Sequence, residues 1–361
     1  MSRTDDGHHT FLHFGNPFKM IFSRGPHFSS KLLALLNNFE LMLATSLTNL
    51  KPNDLSEILT LSWMRQAIES LSEIHTNIKG LITDLEFPVS HWDENWIDVY
   101  LDGSVKLLDI CIALSSLLSR LDQSQLFLHF VIQIFEHPSN SSQQMKLVVA
   151  SLHDWKGQFS SNNLKLQNCH DILKNLAGIP YSEKLRNSDK SNLLLRALYG
   201  VKVHTVIVCS VITAALSGCS KPLIELLVPD KFLWSSAFNE LQAIVLSEFQ
   251  THLSSEKVIM LRELEAVELC VERLLVLTGC VCMENGQSEK EAVGEEQLEE
   301  VEELVFDLAG RSEKLSEGLD HLCTQIDGFF QIVLTGRDAL LANLRASNRI
   351  RESSEEENAI R

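Results

Sequence analysis

The amino-acid sequence predicts an all-α protein, an elongated multi-helix bundle of long antiparallel amphipathic helices with coiled-coil-like packing. Apolar residues recur every three or four positions through most of the chain, which is the spacing of a buried helix face. Turn residues are few, with 16 Gly and 8 Pro in 361 residues, and alternating apolar runs bounded by turns are scarce. Together these observations favour helices over strands.

The longest helical pattern lies near the C-terminus and predicts a helix over about 295 to 345. Ser312 is the one interruption in its apolar stripe. Apolar residues such as Leu304, Phe330 and Ile332 also occupy the flanks, where a two-stranded coiled coil keeps polar residues. We therefore expect an intramolecular bundle helix, packed against the helices between Ser29 and Leu121. The stripe consists of Leu298, Val301, Val305, Leu308, Leu315, Leu319, Leu322, Ile326, Phe329 and Val333.

Two helices are predicted to form an antiparallel hairpin in the first part of the chain. The first begins at Ser29 and ends before Pro52, because the residue before a proline disfavours the helical conformation. Asp54 and Glu57 have the spacing of a capping box and predict the start of the second helix, which continues to Ile78.

The remaining helices follow from the same periodicity. Ser90 is the expected N-cap of a helix over about 92 to 121. Further helices are expected at about 123 to 136, 142 to 157, 163 to 177, 190 to 217, 230 to 253 and 255 to 282. The chain thus divides into an aromatic and basic segment (1–28), a helical bundle (29–345) containing an acidic linker (283–294), and an acidic tail (346–361) predicted to be disordered.

One stretch, 203–220, contains no Asp, Glu, Lys or Arg. Its length is the lower limit for a membrane-spanning helix. Several polar residues dilute its hydrophobicity, which favours a central helix of the bundle, and a membrane span remains the alternative.

The N-terminal segment carries the candidate membrane contact. Phe14, Phe18 and Phe22 would share one face of a short helix, beside Lys19 and Arg24. Two other interpretations are a plastid transit peptide and packing of the aromatic rings back onto the bundle.

Charge limits the classes of partner. The formal net charge of −17 disfavours binding to nucleic acid, because neutralising phosphates needs a clustered basic surface. Between Glu284 and Asp307 the chain has ten acidic residues and one lysine. This run is either a solvated helix face or a docking strip for a basic protein partner. The candidate docking residues are Glu295, Glu296, Glu299, Glu300 and Glu303.

The eight cysteines lie mostly in apolar helical patterns, which indicates a reducing intracellular compartment. A cytoplasmic or endomembrane-associated location is favoured, with the plastid as an alternative. The sequence lacks the common phosphate-binding, zinc and nucleophile motifs, and we expect no catalytic residue, cofactor or metal. It leaves the oligomeric state open.

Several blocks are longer and less regular than generic amphipathic helices. They are FGNPFK (14–19), SSKLLALLNNFE (29–40), ILTLSWMRQAIESL (58–71), ITDLEFPVSHWDENWIDVYLDGSVKLLDIC (82–111), LLLRALYGVKVHTV (193–206), LRELEAVE (261–268) and GRDALLANLR (336–345). On these blocks the chain resembles the plant BYPASS family.

The resemblance implies a non-enzymatic regulator of plant development, a helical scaffold or interaction protein in root-to-shoot growth signalling that restrains a root-derived mobile signal. It supplies no catalytic residues. The alternative function is that of an enzyme or binding protein for an apolar, carotenoid-derived metabolite, held in a pocket between bundle helices.

Overall fold

A computed structural model describes residues 28–85, 94–136, 142–158, 164–178, 188–218, 223–255, 258–284 and 295–360. Within these residues the chain forms nine α-helices and one short 3-10 helix, so the predicted all-α bundle is confirmed. The helices are α1 (Ser30–Asn49), α2 (Leu61–Asp84), α3 (Glu94–Glu136), α4 (Ser142–Gly157), α5 (Leu164–Ala177), α6 (Asp189–Ser217), α7 (Ser235–Ser254), α8 (Arg262–Glu284) and α9 (Glu295–Ile360).

Side-chain caps set the starts of the first two helices. The Ser29 hydroxyl accepts a hydrogen bond from the Leu32 amide, as expected of an N-cap. The predicted capping box at Asp54 and Glu57 is only approximated, since Asp54 accepts from the Ser56 amide and Glu57 from the Asn53 amide, and Asp54 caps the 3-10 helix Leu55–Leu59. The second α-helix begins at Leu61, where Thr60 accepts from the Trp63 amide. The sequence prediction was wrong here because the five-residue 3-10 turn also has an apolar face.

Helix α3 is continuous where the sequence analysis predicts a break after Leu121. No proline or glycine lies at that position, and Ser124 donates a side-chain hydrogen bond to the Leu121 carbonyl, which keeps the turn closed. Helix α7 begins at Ser235, later than predicted, since 230–234 forms turns. The segment before it, 223–229, lacks regular secondary structure. Helix α8 begins at Arg262 instead of near 255.

Hydrogen bonds between helices show how they run relative to one another. Helix α1 is antiparallel to α2, because Trp63 donates to the Leu50 carbonyl while Ser70, further along, bonds Ser46. Helices α3 and α9 are also antiparallel. Helix α2 runs parallel to α9, since Gly318 lies against Leu61 and Phe329 against His75. The bundle therefore mixes both orientations.

Helix α6 lies at the centre of the bundle and packs against α1, α2, α3 and α5. Every residue from Val203 to Leu216 is buried. It ends at Gly218, whose left-handed conformation (φ 61°) suits glycine because that residue has no Cβ to clash. This confines the most apolar stretch of the chain to the protein core.

Helix α9 packs against α2, α3 and α8. The predicted stripe is buried from Val301 to Val333, whereas the contacts of α1 are chiefly with α2, α6 and α7, so the expected packing of α9 on α1 is wrong. Ser312, which interrupts the stripe, is fully buried and donates to the Gln125 side chain of α3 at 2.9 Å. A buried polar pair of this kind fixes the register, because slipping would leave both groups unpaired at a cost of about 1–3 kcal/mol each.

The backbone of α9 continues to Ile360, past the end predicted near residue 345. Residues 346–360 contain neither Pro nor Gly and are rich in Glu and Arg, which are good helix formers, so the helix can continue through them.

Candidate functional site: the acidic start of helix α9 and the polar contacts of the core

The candidate docking residues lie on the first two turns of α9. Glu299, Glu300 and Glu303 are exposed, and Val301 between them is buried. Glu299 and Glu303 are one turn apart and face away from the bundle, while Glu300 lies about 100° around the helix from Glu299. The helix therefore presents these carboxylates to solvent as a curved strip.

The other candidate residues lie outside the part of the chain whose side chains the structure describes. Glu295 and Glu296 belong to α9, but their side chains are not described. The candidate membrane contacts all precede residue 28, where the described chain begins, and they stay a prediction. They are Phe14, Phe18, Lys19, Phe22 and Arg24.

One turn further along α9 the carboxylates become paired. Asp307 accepts a hydrogen bond from Arg311 at 2.9 Å and from the Cys270 thiol of α8 at 3.3 Å. The Arg311 pair is exposed and contributes little to stability, on the order of 0.5 kcal/mol. Unlike the exposed carboxylates of the first turns, Asp307 is therefore linked to α8.

A buried polar network joins α1, α2 and α6 in the core. The Ser46 and Ser70 hydroxyls are 2.6 Å apart, and Ser70 bonds the His204 Nε2 at 3.0 Å. Burial, with a smaller effect of His75, lowers the pKa of His204 to about 3, so the ring is neutral at physiological pH. Serine beside neutral histidine is the pairing of a nucleophile and a base. Here, however, His204 has no exposed surface, so a substrate cannot reach it.

A second buried contact links α1 to α6 and to the loop before α7. Glu40 is 1% exposed and accepts two hydrogen bonds from Arg196, at 2.5 and 3.0 Å. It also accepts one from the Leu233 amide at 3.0 Å. Arg196 lies over the Phe232 ring, 5.1 Å from its centre. The carboxylate is thus fully engaged in holding three segments together.

Two further contacts join helix ends. Glu263 of α8 accepts from the Leu61 amide at 3.0 Å and so caps the start of α2. Burial is the largest cause of the raised pKa of Glu263. Arg337 of α9 donates to the Leu101 carbonyl and the Ser104 hydroxyl of α3. Each of these arrangements is structural.

These contacts were not predicted, although the sequence carries a signal for them. Arg196, His204, Glu263 and Arg337 all belong to blocks singled out as less regular than ordinary amphipathic helices. Charged or polar residues at core positions are expected to be conspicuous in this way, because each needs a partner on another helix. The partner itself could not be read from the sequence.

The alternative functions need a membrane span or a pocket. Helix α6 is the one described helix that is long and apolar enough to cross a membrane, and 89% of its most apolar window is buried inside the protein. This is typical of a core helix in a soluble bundle and gives only weak support for a span. Among the described residues, no group of three or more His, Cys, Asp or Glu side chains is placed to hold a metal ion.

Two of the surface clefts in the described part of the chain bear on the metabolite hypothesis. One, of about 570 Å³, lies between α3 and α5 and is lined by charged and amide residues as well as apolar ones, among them Lys106, Asp109 and Asp171. The other, of about 510 Å³, lies between the segment 225–229 and α7. Both are open to the surface, unlike the enclosed apolar pocket that the metabolite hypothesis requires.

Comparison with known proteins identifies the relatives of this chain. The model of the family described as Protein ROH1-like matches residues 24–155. The Arabidopsis thaliana protein named "Protein BPS1, chloroplastic" is 43% identical, over 96% of this chain and 94% of its own length. "UPF0496 protein 4" of Oryza sativa subsp. japonica is 38% identical, over 96% of this chain and 98% of its own length.

No solved structure matches the chain. None of these names denotes an enzyme. Because the similarity to the Arabidopsis protein covers almost the whole of both chains, the helical bundle described above belongs to the BYPASS family.

Proposed function

We propose that this protein is a non-enzymatic regulator of plant development that acts by binding a protein partner, and that the acidic start of α9 is part of the binding surface. The proposal rests on a contrast between the buried polar side chains and the exposed ones. Buried polar groups such as Glu40 and Ser70 are engaged between helices, whereas Glu299, Glu300 and Glu303 are exposed at one end of the bundle.

Family membership supports the developmental part of the proposal. A role in restraining a root-derived mobile signal is the finer function that the BYPASS resemblance suggests, and a scaffold that binds a signalling partner would serve it. The name of the Arabidopsis relative supports a plastid as the first compartment to examine. The metabolite alternative has less support, because every residue from Val203 to Leu216 is buried among the helices of the bundle.

Proximity labelling in plant cells tests the proposal. A biotin ligase is fused to the C-terminus of the full chain, and the wild type is compared with a variant carrying Glu299→Gln, Glu300→Gln and Glu303→Gln. We expect the variant to lose several-fold of the labelling of its main partners, because a rim of charge steers association. A matched control neutralises three exposed carboxylates on α2, Glu69, Glu73 and Asp84.

Equal labelling by the wild type and the α9 variant would sink the proposed surface. Loss of labelling in both variants would mean that total charge matters and the position on α9 does not, which also contradicts the proposal. The same experiment reports the compartment through the resident proteins that become labelled.

A further inference from the structure

Three large apolar side chains are exposed on neighbouring helices. Phe306 of α9 is 81% exposed, Leu126 of α3 is 67% exposed, and Phe130 of α3 is 42% exposed. Single exposed apolar residues are common on protein surfaces, but contiguous groups of them mark interaction sites. These three side chains can belong to one surface only if they lie at a similar height along the bundle and on the same side of the α3–α9 pair.

The level follows from the contacts between the antiparallel helices α3 and α9. Gln125 bonds Ser312, and Tyr100 lies against Gly336. In an antiparallel pair the numbers of two facing residues have a nearly constant sum, and these two pairs have nearly the same sum. Position 130 of α3 therefore lies opposite about position 306 of α9. Phe130 and Phe306 are therefore at one height along the bundle, and Leu126 is one helical turn away, roughly 6 Å.

The side follows from helix geometry. In two antiparallel right-handed helices, the residue after an interhelical contact residue turns toward the same side of the pair on both helices. Leu126 follows Gln125, which faces α9, and Phe306 follows the buried Val305. Phe130 is one turn beyond Leu126. The three side chains thus lie on one side of the α3–α9 pair, and together they are named here the Phe306 patch.

Exposed acidic residues lie near the Phe306 patch on both helices. On α9, Glu302 and Glu313 are exposed within two turns of Phe306, on the same outward side. On α3, Asp122 is exposed one turn from Leu126. Carboxylates at this rim repel an anionic membrane surface and also repel the same rim of a second copy. They favour a partner that carries apolar residues flanked by positive charge.

We propose that the Phe306 patch is the anchor of a docking surface for an amphipathic helix with an apolar face and lysine or arginine along its edges. The inference rests on the proposed function and makes it specific, because it names the residues that bind and the chemistry of the partner. Phe306 fills the centre of the contact, where aromatic anchors carry most of the binding energy, and the carboxylates set the approach.

A synthetic peptide tests the proposal without knowledge of the natural partner. The probe is a fluorescent amphipathic helix of about 18 residues, built from leucine and lysine. Its comparison peptides have the same composition in scrambled order, or glutamate in place of lysine. Binding to the full chain is measured by fluorescence anisotropy at low and raised salt. We expect the basic amphipathic peptide to bind most tightly and to weaken as salt rises.

Variants locate the binding on the chain. We expect Phe306→Ser to weaken binding at least about ten-fold, which is typical of a central aromatic anchor. The matched control is Leu227→Ser, a change at a 90% exposed leucine beside α7, which should leave the affinity unchanged. Both changes are at exposed positions, and circular dichroism checks that the bundle is intact.

Several outcomes would overturn the proposal. Equal affinity of Phe306→Ser and Leu227→Ser places the binding elsewhere, and equal binding of the acidic peptide removes the role of charge. A wild-type dimer in sedimentation that Phe306→Ser dissociates shows that a second copy covers the patch. If the peptide fails while proximity labelling still depends on Glu299, Glu300 and Glu303, the docking-helix inference falls and the proposed function stands.

Discussion

His204 shows how a single residue can connect the core to the pH dependence of stability. Its ring is buried beside Ser70, and burial holds its pKa near 3, well below the value of 6.5 for a free histidine. Below pH 6.5 the unfolded chain binds a proton at this position and the native chain does not. The free energy of unfolding therefore falls as the pH drops from about 6.5 toward 3, and this contribution is complete above pH 6.5.

We expect His204 to contribute a loss of roughly 1 kcal/mol in the free energy of unfolding for each pH unit below about 6. Urea denaturation of the full chain at pH 7, 6 and 5 measures it. His204→Gln keeps a side chain able to bond Ser70 but removes the titrating group, so the variant should show a shallower pH dependence. Identical slopes for the two proteins would show that His204 is not kept neutral.

For single residues, the apolar pattern was predicted more accurately than the positions of the buried polar side chains. The stripe from Val301 to Val333 was predicted and is buried, because apolar periodicity depends only on neighbours along the helix. Glu40 was missed as a core residue, because its burial depends on Arg196, which is distant in sequence. Pairings of this kind are set by the fold as a whole.

At the element scale, helix existence was well predicted and helix ends were not. Each predicted helix in the described chain is present, but the break after Leu121 and the end of α9 near residue 345 were wrong. A change in apolar spacing does not stop a helix unless a residue such as proline prevents the next hydrogen bond. Capping signals are equally ambiguous, as Asp54 and Glu57 show by capping a 3-10 turn.

The glycines of α9 provide a test at this scale. A Cβ at Gly310 would meet nothing within 4 Å, whereas a Cβ at Gly318 would lie 2.5 Å from the Leu61 side chain of α2. Alanine is favoured over glycine in a helix interior by about 1 kcal/mol. We expect Gly310→Ala to raise the free energy of unfolding by about 0.5–1 kcal/mol, and Gly318→Ala to lower it because Leu61 must shift.

Thermal or urea denaturation of the two variants measures the difference, and each serves as the control for the other. The expected order is Gly310→Ala above the wild type and Gly318→Ala below it. Equal stabilisation by both changes would show that α9 does not approach α2 as closely as described.

At the scale of the whole molecule, α9 is an internal part of the bundle. Its buried stripe is shared among α2, α3 and α8, and the Ser312–Gln125 pair fixes its register on α3. This arrangement leaves only its outward face for partners. The sequence predicted this much of the candidate site, since Glu299, Glu300 and Glu303 are exposed as an acidic run should be.

The Phe306 patch could not have been predicted from the sequence. Phe306 lies beside the apolar stripe, and only the positions of α2, α3 and α8 around α9 show that these helices leave it exposed. Leu126 and Phe130 join it because two helices separated by more than 150 residues in the chain pack at a fixed register. The BYPASS resemblance gave the family but did not indicate this surface.

The long apolar stripe of α9 is covered by helices of the same chain, so we expect it not to form a zipper with a second copy. Amide hydrogen exchange of residues 301–340 in the full chain, measured before and after about a hundred-fold dilution, tests it most directly. We expect the protection of these amides to be strong and independent of protein concentration. Protection that falls on dilution would show that a second molecule, and not the helices of the same chain, covers the stripe.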